Sequence, residues 1–341
     1  MKKIDLDRTI IEATIGKALS EMKADPERTI RKLIDIGKDF ANGPFQKDFF
    51  HNAQQIMEKE DGAYYRLIKR MVTEVDHQNL KTFGMNVGYN GCTKGAKTIR
   101  RREEELQFNI PWALSFVLSS GSSAVTTAEV SHVITQGKEL GIYVYLLFLR
   151  SNRLEEILQL LDTHDDCAFI LFFRPAFLTS HAICELQSRH NVLLSLASDQ
   201  PETEQAARAL REGHFLFAIH TIYSAQDVQS CLEPAHMEQI SSYAPFAYFL
   251  IAAEGCPIQS IETMGQFVSG IRDAQKYPVL PIDIMHDMLS IDQIISDDGC
   301  AVTFSDDGYA GDFFHGARRS DDFSLRKRTL ISILKASNPK K

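Results

Sequence analysis

A run of small hydroxyl residues, Ser119-Ser120-Gly121-Ser122-Ser123, follows the apolar stretch Trp112 to Leu118. A stretch that short, bounded by turn residues, reads as a strand buried on both faces, and in many α/β enzymes the loop after such a strand carries the chemistry. For Ser122 or Ser123 to act as a nucleophile, a histidine base and an oxyanion hole must lie within reach, and no Gly-x-Ser-x-Gly elbow is present. The loop also lacks the lysine and spacing of a Walker motif.

Other candidates sit at or just after the ends of later apolar runs: Arg150, Arg174, Asp199, His220 and Glu254, with Asp283 and His286 near the next. Arg150 and Arg174 can clamp a carboxylate or phosphate, aided by Ser120, Gly121 and Ser122 if the loop's amides open onto a helix starting near Thr126. The alternative is that both arginines cap strand ends and pair with acids such as Glu155 or Asp165. His220, Glu254 and Asp283 have the donor types of a metal site. No HxH or HxxE pair supports that set, and His220 also reads as a hydrogen-bonded rim residue. Cys256, in Glu-Gly-Cys-Pro, is the cysteine best placed for chemistry, but a structural thiol is the simpler reading.

These residues need elements to hold them. Apolar residues recur at helical spacing in Ile10, Ile11, Ile15 and Leu19 and again in Ile30, Leu33 and Ile34, so residues 1–106 read as helical, with further helices over Phe49 to Met57 and Tyr64 to Val75. From Pro111 short apolar runs alternate with amphipathic segments: Trp112 to Leu118, Ile142 to Leu149, Ala168 to Phe173, Val192 to Ala197, Phe215 to Ile219 and Pro245 to Ala252. Helices are expected over Thr126 to Leu140, Leu154 to Leu161, Leu178 to His190, Glu202 to Arg211, Ala225 to Tyr243 and Ile258 to Tyr277. Six successive βα units favour a partial (β/α)6 TIM-like barrel over a doubly wound sheet. The tail holds a strand-like Pro278 to Ile284, a hairpin turning at Asp307-Gly308 and a last helix over Leu325 to Leu334. The expected division is therefore a helical extension at 1–106, a barrel at 107–284 and a carboxy-terminal extension at 285–341.

Composition narrows the partners. With 341 residues, 44% hydrophobic and 24% charged, the chain has the make-up of an ordinary soluble domain. Its net charge of -8 is spread along the sequence, which argues against a nucleic-acid partner. No apolar run approaches the roughly 20 residues of a membrane helix, and the first residues lack a secretory apolar core, so no membrane association and a cytoplasmic location are expected. Six scattered cysteines show neither a zinc pattern nor a disulfide framework.

Four phrases give the chain a resemblance to the radical SAM superfamily, in the Firmicutes branch with a helical amino-terminal extension. They are Tyr64-Tyr-Arg-Leu-Ile-Lys-Arg-Met-Val-Thr-Glu-Val-Asp76, Phe83-Gly-Met-Asn-Val-Gly-Tyr-Asn90, Phe108-Asn-Ile-Pro-Trp-Ala113 and Thr135-Gln-Gly-Lys-Glu-Leu-Gly141. The resemblance implies a CxxxCxxC loop after the first strand, holding a 4Fe-4S cluster that binds S-adenosylmethionine, and a Gly-Gly-Glu-Pro segment after the second. Here the first loop is the shortened Leu118-Ser-Ser-Gly-Ser-Ser-Ala124, with no cysteine between Cys92 and Cys167. The second position reads Arg150-Ser-Asn-Arg153, and only Cys300 remains of a cysteine-rich tail. A serine hydroxyl is a poor substitute for a thiolate at neutral pH.

The expectation is a degenerate member of the superfamily, without cluster or S-adenosylmethionine, acting as a binding, scaffold or regulatory partner. Its partner would be an intact radical SAM enzyme or that enzyme's peptide or small-molecule substrate. The alternative is a cluster-independent enzyme or binder of an anionic small molecule at the barrel mouth. Whether that mouth is open, or plugged by Phe148, Phe173 and Phe314, decides how the rim residues can be used.

Overall fold

The computed structural model describes residues 6–21, 26–39, 44–296, 298–312 and 316–340. The amino-terminal part runs through α1 (Leu6–Glu21), α2 (Pro26–Asp39), α3 (Pro44–Glu58), α4 (Ala63–Glu74) and α5 (His77–Met85). A π-helical stretch, Asn86–Gly95, then leads into α6 (Ala96–Leu106). Leu19, Ile30, Ile34, Met57, Tyr65 and Val72 form a small core among the first four helices, separate from the main one.

Strand and helix then alternate as β1 (Ala113–Leu118), α7 (Thr127–Leu140), β2 (Val144–Leu149), α8 (Leu154–Thr163), β3 (Ala168–Phe173), α9 (Ser180–Leu186), β4 (Val192–Ala197) and α10 (Thr203–Glu212). The series continues as β5 (Phe217–Tyr223), α11 (Val228–Leu232), α12 (Pro234–Ser242), β6 (Ala247–Ala252), α13 (Ile258–Ala274), β7 (Leu280–Asp283) and α14 (Ile284–Ser296). After it come β8 (Val302–Phe304), β9 (Ala310–Asp312), β10 (Gly316–Ala317) and α15 (Leu330–Ser337).

Among the described residues the strands form one sheet in the order β10-β9-β8-β1-β2-β3-β4-β5-β6-β7. Neighbours from β1 to β7 are parallel, β8 is parallel to β1, and β9 turns back on β8 at the expected Asp307-Gly308 hairpin. The sheet curls into a partial TIM-like barrel, the architecture its sequence predicts. No described helix is long and apolar enough to cross a membrane.

Among the element boundaries that differ from the sequence expectation, three have a plain local reason. The helix expected over 225–243 is split because Pro234 has no N–H and holds Glu233 extended, at φ -67° and ψ 134°. The last helix begins at Leu330 rather than Leu325, where Thr329 accepts a hydrogen bond from Ser332 N at 3.3 Å. Strand β5 runs to Tyr223 instead of stopping at Ile219, since its β-branched residues Thr221 and Ile222 stay paired in register with Leu250 and Ile251.

The helical part is fastened beneath the barrel by asparagines. Asn79 Nδ2 donates to His190 O at 2.8 Å and Val192 O at 3.2 Å, and its Oδ1 accepts from Leu216 N at 3.0 Å. Asn86 Nδ2 donates to Asp165 O and Cys167 O, each at 2.8 Å, while Asn90 Nδ2 reaches Asp166 O at 2.8 Å. These side chains satisfy backbone groups at the entries of β3, β4 and β5 that no neighbouring strand reaches. The end of α7 fits the same surface through Gly141, at φ 100°, where a Cβ would stand 2.6 Å from Gly95 O.

Candidate functional site

Side chains on paired strands alternate between the barrel interior and the helix-covered face. Phe148 and Phe172, register partners on β2 and β3, stack in the interior with centroids 4.5 Å apart. Phe172 meets Phe249 of β6 and His220 of β5 edge-on, each at 5.3 Å. Tyr145 shows the opposite face, its hydroxyl donating to Ile142 O at 2.9 Å beneath α7. The mouth is thus floored by Phe148, Phe172 and Phe249. Phe173, expected among the plugging residues, is one residue out of phase and faces the helices, and Phe314 lies outside the described residues.

His220 is not on the rim. The extra length of β5 places it inside, 4% exposed, with Nδ1 3.0 Å from Ser195 Oγ. Burial lowers its pKa to about 4, so the ring is neutral at physiological pH. Asp283, the next member of the suggested metal set, lies on the other face of its strand: it pairs with Leu250, and its Oδ1 accepts from His286 N at 3.0 Å. Glu254 is exposed in the loop after β6, where a Cβ on Gly316 of β10 would stand 3.0 Å from its Oε1. Among the described residues no group of three or more His, Cys, Asp or Glu side chains is arranged to hold a metal. Strand parity separates His220 from Asp283, and Glu254 lies past the end of β6 in a loop.

The serine loop is tied down at several points. Ser119 Oγ donates to Asp306 Oδ2 at 2.9 Å, and the hydroxyls of Ser120 and Ser151 are 2.8 Å apart. Arg153, only 6% exposed, donates through Nη1 to Ser119 O at 3.1 Å and Val125 O at 2.7 Å, and pairs with Glu156. Arg326 Nη2 donates to Ser123 O and Ala124 O at 3.1 Å each, while its Nε bonds Glu129 Oε1 at 2.7 Å. Gly121, at φ 148°, and Ser122 lie exposed at the tip. The amino terminus of α7 is not left open for an anion: Glu129 Oε2 accepts from Thr126 N at 2.8 Å, and Thr126 Oγ1 from Glu129 N at 3.2 Å. The hydrogen bond from Arg326 and its charge hold Glu129 below the usual carboxylate range.

Arg153, Asp306 and Arg326 were not singled out from the sequence. Arg153 is three residues past Arg150 in the same loop, but one cation is buried and the other exposed, a difference only the fold sets.

Arg150 and Arg174 stand where expected, directly after β2 and β3 and exposed. Neither guanidinium makes a hydrogen bond or ion pair among the described residues, and the pairing with Glu155 or Asp165 is not formed. Cys256 is partly buried, and that burial raises its thiol pKa, the direction opposite to an activated nucleophile. A cleft of about 710 Å³ lies at the other end of the barrel, lined by residues including Arg8, Glu12, Asp162 and Arg189. Its charges pair with one another, as in Arg189 with Asp162 at 2.8 Å.

No family model and no curated protein matches the chain. Among solved structures it is similar to Streptococcus suis SuiB bound to precursor peptide SuiA, with TM-score 0.52 and 10% identity over 71% of this chain and 69% of that one. SuiB bound to S-adenosylmethionine gives TM-score 0.46 and 11% identity over 64% of this chain and 62% of that chain. SuiB alone gives 0.46 and 10% over 85% and 71%. This chain therefore spans less than two thirds of the S-adenosylmethionine-bound SuiB chain. At such identity the likeness is one of fold alone: a partial barrel like that of SuiB.

Proposed function

We propose that this chain is a degenerate radical-SAM-like protein that acts as a binding, scaffold or regulatory partner, without the cofactor chemistry of the fold. One observation carries the reading. The loop after β1 offers hydroxyls where a cluster needs three thiolates, and its backbone is held by Arg153 and Arg326 while Ser119 is bonded to Asp306. The residues present do not fit a 4Fe-4S cluster, because the nearest cysteines in sequence, Cys92 and Cys167, lie outside this loop and no thiol falls between them. The aromatic floor supports the same reading, since it fills the space beneath the mouth. The proposed partner is an intact radical SAM enzyme or that enzyme's peptide or small-molecule substrate.

Anaerobic reconstitution with iron and sulfide tests this. The protein should remain colourless after desalting and should release no 5'-deoxyadenosine from S-adenosylmethionine; stoichiometric iron and sulfide with charge-transfer absorbance would overturn the proposal. A second reading, a binder or cluster-independent enzyme for an anionic small molecule, is favoured by the guanidiniums of Arg150 and Arg174, which are exposed and have no partner among the described residues.

A further inference from the structure

We infer that the barrel mouth is built to hold a carboxylate attached to an apolar body. Phe148 and Phe172 are register partners facing the interior, and two residues further on Arg150 and Arg174, directly past the ends of the neighbouring strands β2 and β3, stand exposed at the mouth. Backbones of adjacent strands run about 4.8 Å apart, so two cations leave the sheet side by side. Like charges at neighbouring strand positions are unfavourable, and here no described acid neutralises either. A carboxylate accepted by a guanidinium fork relieves that repulsion.

The opposite side of the mouth is apolar. Ile222 of β5 is 58% exposed, and its register partner Ile251 of β6 is partly exposed; both share the interior-facing parity of His220 and Phe249. An exposed isoleucine beside a second one, above a floor of Phe148, Phe172 and Phe249, is a surface that gains from being covered. Cationic and apolar sides therefore face each other across an aromatic floor. The exposed acids Asp199 and Glu254, after β4 and β6, complete the rim and disfavour a ligand bearing several negative charges, which selects a monoanion over a phosphate.

This carboxylate can belong to a free apolar acid or to the carboxy terminus of an apolar peptide. The inference rests on reading the mouth as a binding surface. Binding to the full-length chain is measured by calorimetry with octanoate, with acetyl-Leu-Leu-Phe, with the amide of that peptide, and with inorganic phosphate. At least one carboxylate probe should bind, the amide and phosphate should not, and the tighter carboxylate identifies the source. Arg150→Gln and Arg174→Gln should each weaken binding about tenfold, the size of one charge-assisted hydrogen bond. Ile222→Asp should weaken it as well, and all three exposed substitutions should leave the melting temperature unchanged. Failure of both carboxylates to bind, phosphate binding as tightly, or indifference to both arginine substitutions would overturn the inference. Cluster formation would instead defeat the functional reading and is measured independently.

Discussion

Phe172 on β3 and Phe249 on β6 meet edge to face with centroids 5.3 Å apart, although β4 and β5 lie between them in the sheet. In a flat sheet those strands would stand about 14 Å apart, three spacings of about 4.8 Å. The contact exists because the sheet is curled, and it fills the barrel with rings instead of leaving a channel. The buried neutral imidazole of His220 completes the cluster.

Phe172 touches Phe148, His220 and Phe249, so truncating it opens a void where three strands converge. Phe172→Ala should cost about 3–5 kcal/mol in urea unfolding, while Phe172→Leu, which keeps most of the volume, should cost well under half as much. Equal losses would show that the rings do not form one packed unit.

Much of this fold was legible in the sequence. The apolar runs at 168–173 and 192–197 match β3 and β4 residue for residue, because strands buried on both faces are nearly continuous in Phe, Ile, Leu and Val. The site was less legible, for a reason of parity. His220 reads as a rim residue only if β5 ends at Ile219, four residues early, and Phe173 reads as a plug although Phe172 is the one facing inward. Arg150 and Arg153 are the same residue type in one loop, and only the docking of the β8–β9 hairpin with its Asp306 against Ser119 creates the enclosure that buries Arg153. Asn86 and Asn90 lie in one of the phrases that carry the family resemblance, but their work is structural, at carbonyls distant in sequence.

The two arginines on the serine loop should separate cleanly. Arg153 is buried and holds two carbonyls, so Arg153→Ala should cost about 3 kcal/mol and accelerate hydrogen exchange of residues 119–125. Arg326 is about a third exposed, and Arg326→Ala should cost at most about 1 kcal/mol while still loosening residues 123–125. Exchange unchanged in both variants would show that the loop is held by Asp306 alone.

Asn86 is fully buried and donates to Asp165 O and Cys167 O while accepting from Asn90 Nδ2 at 3.1 Å. Asn86→Ala should destabilise by about 3 kcal/mol because two buried carbonyls lose their donor. Asn86→Asp should be worse despite its matching shape, since it directs a carboxylate at those same carbonyls. Chemical denaturation of the three proteins gives the ranking, and an aspartate variant more stable than the alanine one would contradict the assigned hydrogen bonds.

Asp292 supplies the pH test. It is fully buried on α14, accepts from Trp112 N at 2.9 Å and Cys300 N at 3.3 Å, and burial, with a smaller contribution from Glu103, pushes its pKa up to about 7. An unfolded aspartate titrates near about 3.9, so between about pH 4 and pH 7 the folded chain holds a proton that the unfolded chain has released. Stability from this group is therefore full below about pH 4, falls as pH rises through 7, and is flat above. Asp292→Asn lacks that slope, though its amide faces Cys300 N and costs about 1–2 kcal/mol when wild type is protonated. Wild-type stability minus that of Asp292→Asn in urea unfolding should thus be more positive at pH 5 than at pH 8, where its sign reverses in favour of the variant; parallel curves across that range would place the Asp292 proton elsewhere.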